Sequence, residues 1–501
     1  MALSPHMASI DAVLERNAEL YPRRLAVAGP RERVTWQELK ARSVSIAGGL
    51  HAAALASGDR VCLWLPSSPS WVAAFLALRR LGLPGVSIGD RARPAELRDL
   101  LPKFRVAAVV TDAAFTPAIT GVCDEAGVRI VEADGPCREE TPQAHGHEAL
   151  IHLTSGSSGT PKGVMRTEAD LLEEARNVAE ALQLTPDDCV LCATPVYHSF
   201  ASGLLMACLW SATPCLLMDR LSPATLLDLA RREEATMVAG VPYVFQTLTA
   251  LTPSDAARPP LRLGVSGGAH LQAETARRFR ERFGVPLVQE YGLSEAGIVT
   301  FNLTRPERVE SVGAPIPNVR LCIVDPAEPA RGLPAGATGE VLVRRAFPAT
   351  AYLDHPDESL QTFTPLGIRT GDLGRLDADG CLTLTGRIKS MINVAGAKVA
   401  PREVEDALLA HSGVAEAVVF GVPSDELGEA VAAVVVANGA CQPDEAGLIA
   451  HCRERLSSYK VPAVVHVVPD LPRTPSGKPD VASIRREFSP GGSLERPEVR
   501  L

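Results

Sequence analysis

The chain has 501 residues, more than one ordinary hydrophobic core accommodates, so at least two domains are expected. Its 46% hydrophobic and 22% charged residues are the balance of a globular protein, and a net charge of −9 excludes a general nucleic-acid surface. An anionic ligand therefore needs a local site built for it.

No run approaches the roughly 18 apolar residues of a membrane span, and the start lacks the basic-then-apolar pattern of a secretory signal. The eleven cysteines follow no framework spacing and sit mostly in apolar stretches, as Cys62, Cys208 and Cys322 do. Reduced thiols used as small hydrophobes in a cytoplasmic protein are the expectation. Cys189 and Cys192 form a C-x-x-C, but within an apolar run and with no second pair nearby, which predicts a buried strand rather than a metal or redox site.

The opening Met1–Met7 carries no pattern. From about residue 104 to 300, apolar runs alternate with helical periodicity. Strands are expected at 106–110, 150–153, 190–193, 215–218, 237–239 and 261–265, with helices at 168–182, 223–234 and 272–283. Such alternation means crossover units and largely parallel sheets with covered faces. After about residue 315 the pattern becomes hairpin-like, with strands at 319–324 and 339–344 and a turn at Asp377-Ala378-Asp379-Gly380 between two more. Beyond Arg387 a smaller α+β unit reads as hairpin, helix 401–410, strands 415–420 and 431–436, helix 445–456 and strand 464–468. The expected division is a large domain over 8–386, a small one over 387–488 and a loose tail over 489–501.

The strongest chemical signal is Thr154-Ser155-Gly156-Ser157-Ser158-Gly159-Thr160-Pro161-Lys162-Gly163, read as a loop after a strand and before a helix. Glycines let the backbone approach a ligand, successive N–H groups form an anion nest, and hydroxyls and Lys162 add donors and charge. A triphosphate requires these features. The common P-loop differs, placing Gly-Lys-Ser/Thr four residues after its first glycine.

This stretch resembles the phosphate loop of the adenylate-forming superfamily, which includes acyl-CoA and aryl-CoA ligases, peptide-synthetase adenylation domains and firefly luciferase. Further motifs follow in the family's order. Glu290-Tyr291-Gly292-Leu293-Ser294-Glu295 resembles its Tyr-Gly-x-Thr-Glu segment with serine for threonine. Arg369-Thr370-Gly371-Asp372 matches Thr-Gly-Asp. Gly386-Arg387-Ile388-Lys389 through Gly396 to Glu403-Val404-Glu405 matches the hinge segment. Pro472-Arg473-Thr474-Pro475-Ser476-Gly477-Lys478 matches the terminal lysine loop. The resemblance covers nearly the whole chain.

It implies an α/β fold: a large N-terminal domain of αβ-layered sheets with a small β-barrel-like part, and a smaller mobile α+β C-terminal domain. It also implies the reaction. A carboxylate is a poor acyl donor because oxide would have to leave; attack on the α-phosphate of ATP makes AMP the leaving group and expels pyrophosphate. Both reacting oxygens are negative, so cations and aligned donors must screen them. Glu295 is the expected Mg²⁺ anchor, since that ion prefers hard oxygens and phosphate bridging. Lys478 is expected over the developing charge, Asp372 on the ribose hydroxyls, Arg387 on ribose or phosphate, and Tyr291 on adenine. Alone, Asp372 or Lys478 would read as a solvated surface charge; the motif context reverses that.

Tyr197-His198-Ser199-Phe200 resembles the segment that closes the acyl pocket in acyl-CoA and aryl-CoA ligases. No aspartate occurs from Tyr197 to Gly203, so an α-amino acid's ammonium would lack its usual partner there. Ser266-Gly267-Gly268-Ala269 resembles the small-residue segment that lines the acyl and adenine sites. Lys389 falls at the family's hinge and Gly396 on its thiol path. The expected activity is an acid–thiol ligase acting on an aryl or small-to-medium acid, with ATP, Mg²⁺ and CoA. Its rivals are a stand-alone enzyme that loads the phosphopantetheine of a separate carrier protein, a catalytically silent nucleotide-binding regulator, and luciferase-like oxidation of a special substrate.

Overall fold

The structure, a computed structural model, describes residues 9–56, 58–89, 92–135, 146–154, 161–218, 220, 222–251, 258–347, 349, 351–438, 443–474 and 478–488. These belong to two compact units, one within Met1–Leu321 and Leu342–Arg369, the other within Cys322–Val341 and Thr370–Leu501. No described helix is long and apolar enough to cross a membrane.

The first unit carries two large sheets. One has seven strands in the order Ala351–Tyr352, Lys162–Thr167, Glu148–Thr154, Gly85–Ser87, Arg60–Leu63, Val106–Thr111, Arg129–Glu132. From Glu148–Thr154 onward its strands run parallel. The other has nine strands, and its centre is a parallel array of Leu25–Ala28, Cys215–Leu217, Val190–Cys192, Met237–Gly240, Leu263–Ser266 and Leu287–Leu293. Central strands such as Val190–Cys192 are buried throughout, as parallel strands covered on both faces must be. Cys189 and Cys192 lie buried as free thiols, so the C-x-x-C is part of this core.

One expectation needs correction. The glycine-serine stretch does not pass straight into a helix. The strand Lys162–Thr167 follows it and pairs antiparallel with Glu148–Thr154, with Thr154 opposite Lys162. Gly163 and the β-branched Val164 and Thr167 oppose helix formation, and the helix Glu168–Ala181 starts only where the Thr167 hydroxyl caps it, accepting from the Asp170 N–H at 3.1 Å. Residues 155–160 lie outside the described residues.

In the second unit, Asp372 to Leu376 of the strand Gly367–Leu376 pair with the strand Leu382–Arg387 around the expected turn, with Asp372 opposite Arg387. A further sheet is built on the long antiparallel pair Val414–Ser424 and Gly428–Ala437. Alternate residues of the second strand feed two cores. Val431, Ala433 and Val435 pack with Val404, Leu408, Leu448 and Cys452, while Ala430, Ala432 and Val434 pack with Leu471 and Ile484. The period of two in an all-apolar run makes this strand buried on both sides.

Glu405, in the helix Pro401–Leu409 next to Val404, accepts from the Val419 N–H at 3.0 Å. Burial pushes its carboxyl up to about 7, above the ordinary range of about 4.3. A carboxyl raised on folding contributes stability below its unfolded range and loses it as pH rises through the folded value. Glu405→Gln keeps the acceptor and removes the charge. Its stability relative to the natural chain should therefore rise by about 1–3 kcal/mol between pH 5 and pH 8, measured by denaturant unfolding at both pH values; a pH-independent difference would contradict this.

Candidate active site

The two strands that flank the glycine-serine stretch end at Thr154 and Lys162. The Lys162 ammonium is nearly buried and pairs with Glu358. It also sits 5.8 Å from the centroid of the Tyr352 ring. Tyr352 belongs to the edge strand Ala351–Tyr352, which pairs with Lys162–Thr167 in the register Tyr352 to Val164. Its hydroxyl donates to Glu295 Oε1 at 2.6 Å. Lys162 and Glu295, 133 positions apart in the sequence, are thus joined through a tyrosine that no motif announced.

Glu295 owes its position to backbone geometry. The strands Leu287–Leu293 and Gly297–Phe301 pair antiparallel with an irregularity between Tyr291 and Gly292, and Ser294-Glu295-Ala296 forms the turn between them. Such irregularities re-aim side chains next to a site. Gly297, at φ +67°, and Gly292 admit no side chain: a Cβ on Gly297 would lie 2.4 Å from Glu174 Oε1, and one on Gly292 2.5 Å from Glu290 Oε1.

Beneath this turn lies a cluster of buried charges. Arg166 binds Asp170 and, at 2.7 Å, Glu174; Arg345 reaches Asp170 at 3.0 Å and Glu173 at 3.5 Å. All five side chains are 0–3% exposed. Burial works against the Arg166 charge, but Asp170 and Glu174 outweigh it and hold the guanidinium ionised past its ordinary range. The cluster grips the turn directly: Ile298 N–H donates to Glu174 at 2.7 Å, and Arg345 donates to the Ala296 carbonyl. His152, buried beside it, is pushed down to about 3 by burial and by Arg166, and meets the Ser202 hydroxyl at 3.2 Å as a neutral ring.

In the segment expected to close the acyl pocket, Tyr197 packs on Gly89 and tilts against the His198 ring at 4.9 Å. His198 precedes the helix Ser199–Ser211. The Ser294 hydroxyl meets that of Ser199 at 3.4 Å, which joins the Tyr291-Gly292 segment to the His198 segment. A Cβ on Gly267 would meet Glu290 Oε2 at 2.3 Å and the Phe200 ring at 3.0 Å, so three expected pocket segments converge there. Tyr291 is buried, whereas Gly268 and Ala269 are exposed just beyond.

The remaining expected residues belong to the second unit. Asp372 is 5% exposed and accepts from Arg387 Nε at 2.5 Å. Gly371, at φ +69°, donates to Glu340 at 3.1 Å and turns the chain into Asp372. Lys389 is exposed in the single helical turn Ile388–Ser390. Gly396 has φ +89°, and a Cβ there would meet nothing within 4 Å; its local reason is the hairpin turn after Ala395, not crowding. The Lys478 carbonyl accepts from the Thr474 N–H at 2.8 Å; residues 475–477 between them lie outside the described residues.

The model of the family described as AMP-binding enzyme matches residues 14–353, and that of its C-terminal domain matches residues 403–478. The chain belongs to the AMP-binding enzyme family. Among relatives of this AMP-binding enzyme, the sulfoacetate–CoA ligase of Cupriavidus necator is 33% identical over 85% of this chain and 87% of its own. A feruloyl-CoA synthase of Amycolatopsis is 29% identical over 94% of this chain and 98% of its own. Among solved structures, ATP-bound MatB from Rhodopseudomonas palustris superposes with a TM-score of 0.87 at 27% identity, covering 96% of this chain and 99% of that one. The large N-terminal and smaller C-terminal domains expected from the sequence are the architecture of these enzymes.

Sequence reasoning missed Tyr352, Glu358, Arg345 and the Arg166 cluster. The only trace of the cluster was the acid-rich start of the helix Glu168–Ala181, which reads as an ordinary N-terminal turn. Arg345→Met should lower unfolding stability by about 3–5 kcal/mol, because Asp170 and Glu173 lose a buried partner. Denaturant unfolding measures it, and a change below about 1 kcal/mol would show the cluster to be dispensable.

Proposed function

We propose that this AMP-binding enzyme activates an aryl or small-to-medium carboxylic acid to its acyl-adenylate and transfers the acyl group to CoA. The chain is an AMP-forming acid–CoA ligase. The observation that supports this assignment of the site is the joining of Lys162 and Glu295 through Tyr352, with the Ser294 hydroxyl meeting Ser199 of the His198 segment. Lys162, with residues 154–160, holds the phosphates. Asp372 accepts from the ribose hydroxyls with Arg387 beside it, and Tyr291 and Ser294 line the nucleotide side. Lys478 stabilises the charge that develops as the carboxylate attacks the α-phosphate.

Mg²⁺ fits Glu295: the ion takes one or two carboxylates together with substrate phosphates, and no group of three or more ligating side chains stands ready among the described residues. It would supply charge neutralisation on the phosphates. The acid's range follows from the missing aspartate in 197–203 and from the glycines at 267 and 292. The two relatives named above span a small acid and an aryl acid. CoA is favoured over a carrier protein by the CoA named in both. Nine described cysteines are free, eight of them buried, which supports a reducing compartment such as the cytoplasm. The small domain, from residue 387, turns about Lys389 between adenylation and thiol transfer, with Gly396 on the thiol's path.

Turnover should release AMP and pyrophosphate; ADP with orthophosphate would overturn the assignment. Lys478→Ala should slow acyl-adenylate formation by about 100-fold or more while leaving thioester formation from supplied acyl-adenylate within about threefold. Lys389→Pro should do the reverse, since proline restricts the hinge. Equal losses in both half-reactions for each variant would refute the rotation.

A further inference from the structure

Tyr352 stands between the two charged groups of the phosphate side and has its own supports. Its N–H donates to Ser359 Oγ at 2.9 Å, and that hydroxyl in turn donates to the His355 carbonyl at 2.7 Å. Its ring packs on Phe363 at 5.4 Å, tilted by 59°. Its strand register against Val164 ties it to the strand that Lys162 begins. The Thr362 side chain also meets the hydroxyl. A phenol locked on four sides is a rigid donor.

The geometry matters because of what Glu295 lacks. It is a lone carboxylate on a turn, and its Oε2 makes no hydrogen bond among the described residues. A single acidic ligand offers a cation only the orientation it retains, and a carboxylate free to rotate retains little. The bond at 2.6 Å between Tyr352 and Oε1 is a charge-assisted O–H···O⁻ contact, the short and strong kind. The ring face meanwhile lies within cation–π range of the Lys162 ammonium.

We propose that Tyr352 is the positioning residue of the phosphate site: its hydroxyl fixes Glu295 so that Oε2 would be available to hold a divalent cation, and its ring seats Lys162. This rests on the reading of Glu295 as the cation anchor. No proton is transferred and no bond is made or broken; Tyr352 acts through Glu295 and Lys162.

The test needs no turnover. Mg²⁺ is titrated calorimetrically into the full-length enzyme holding a non-hydrolysable ATP analogue with a methylene bridge between its α- and β-phosphorus. Tyr352→Phe keeps the ring and removes the hydroxyl. It should raise the Mg²⁺ dissociation constant about three- to tenfold, the size of one hydrogen bond's net contribution. Metal-free binding of AMP should stay within about twofold, because phenylalanine keeps the ring beside Lys162 and this binding involves no cation for Glu295 to hold. Tyr352→Leu should weaken the analogue itself as well, through Lys162. Glu295→Gln, run in parallel, separates the two levels. If it weakens Mg²⁺ binding and Tyr352→Phe does not, the proposal for Tyr352 is wrong and the anchor stands. If Glu295→Gln has no effect, the anchor itself is wrong. Equal weakening of metal-free AMP by Tyr352→Phe would show a merely structural role and overturn the proposal. Should the leucine variant not fold, the phenylalanine variant, smaller by one oxygen, still decides.

Discussion

Arg166 and Arg345 lie in the interior of the first unit against Asp170, Glu173 and Glu174, and the turn that carries Glu295 is held by this cluster. Arg166 is in the strand that leaves the phosphate stretch, the three carboxylates are on the helix that follows, and Arg345 comes from the far end of the unit's sequence. Glu174 and Arg345 bind the backbone that follows Glu295, at Ile298 and Ala296. One cluster therefore links the strand that begins at Lys162 to the backbone that follows Glu295.

Taking five charges out of water is expensive, and an apolar core of the same volume would serve stability as well or better. What ions supply is direction. An Arg fork and a carboxylate meet in few geometries, whereas apolar side chains slide. A site that must hold a lysine and a carboxylate at fixed separation, without letting them neutralise each other, needs such directionality. Lys162 in this structure pairs with Glu358 and Glu295 with Tyr352, so each charge has its own partner.

The glycines work at the same scale. Gly267 and Gly292 both press on the Glu290 carboxylate, and Gly203 and Gly297 both press on Glu174. In each pair, two segments distant in sequence approach one acid because neither carries a Cβ. From the sequence alone, Gly267 and Gly292 are expected to face the ligand. Part of their reason is internal: they let the backbone close around carboxylates that organise the site.

Read alone, the sequence determined the alternation of strands and helices, the two-domain organisation, and the chemistry, because those rest on local periodicity and on short motifs whose residues are neighbours in the chain. Strands such as Val106–Thr111 and Val464–Val468 and the helix Ala273–Phe283 occur where period and capping put them. Only the tertiary structure decided that an antiparallel strand separates the phosphate stretch from its helix, since the pattern of 162–167 fits a strand only once Glu148–Thr154 lies beside it. Only it joined Tyr352 to Glu295 and Arg345 to Asp170, pairs 57 and 175 positions apart. A lone tyrosine or arginine in a loop-rich stretch has no period and no neighbour to mark it. Its role arises when the fold brings it to a charge that would otherwise be unheld.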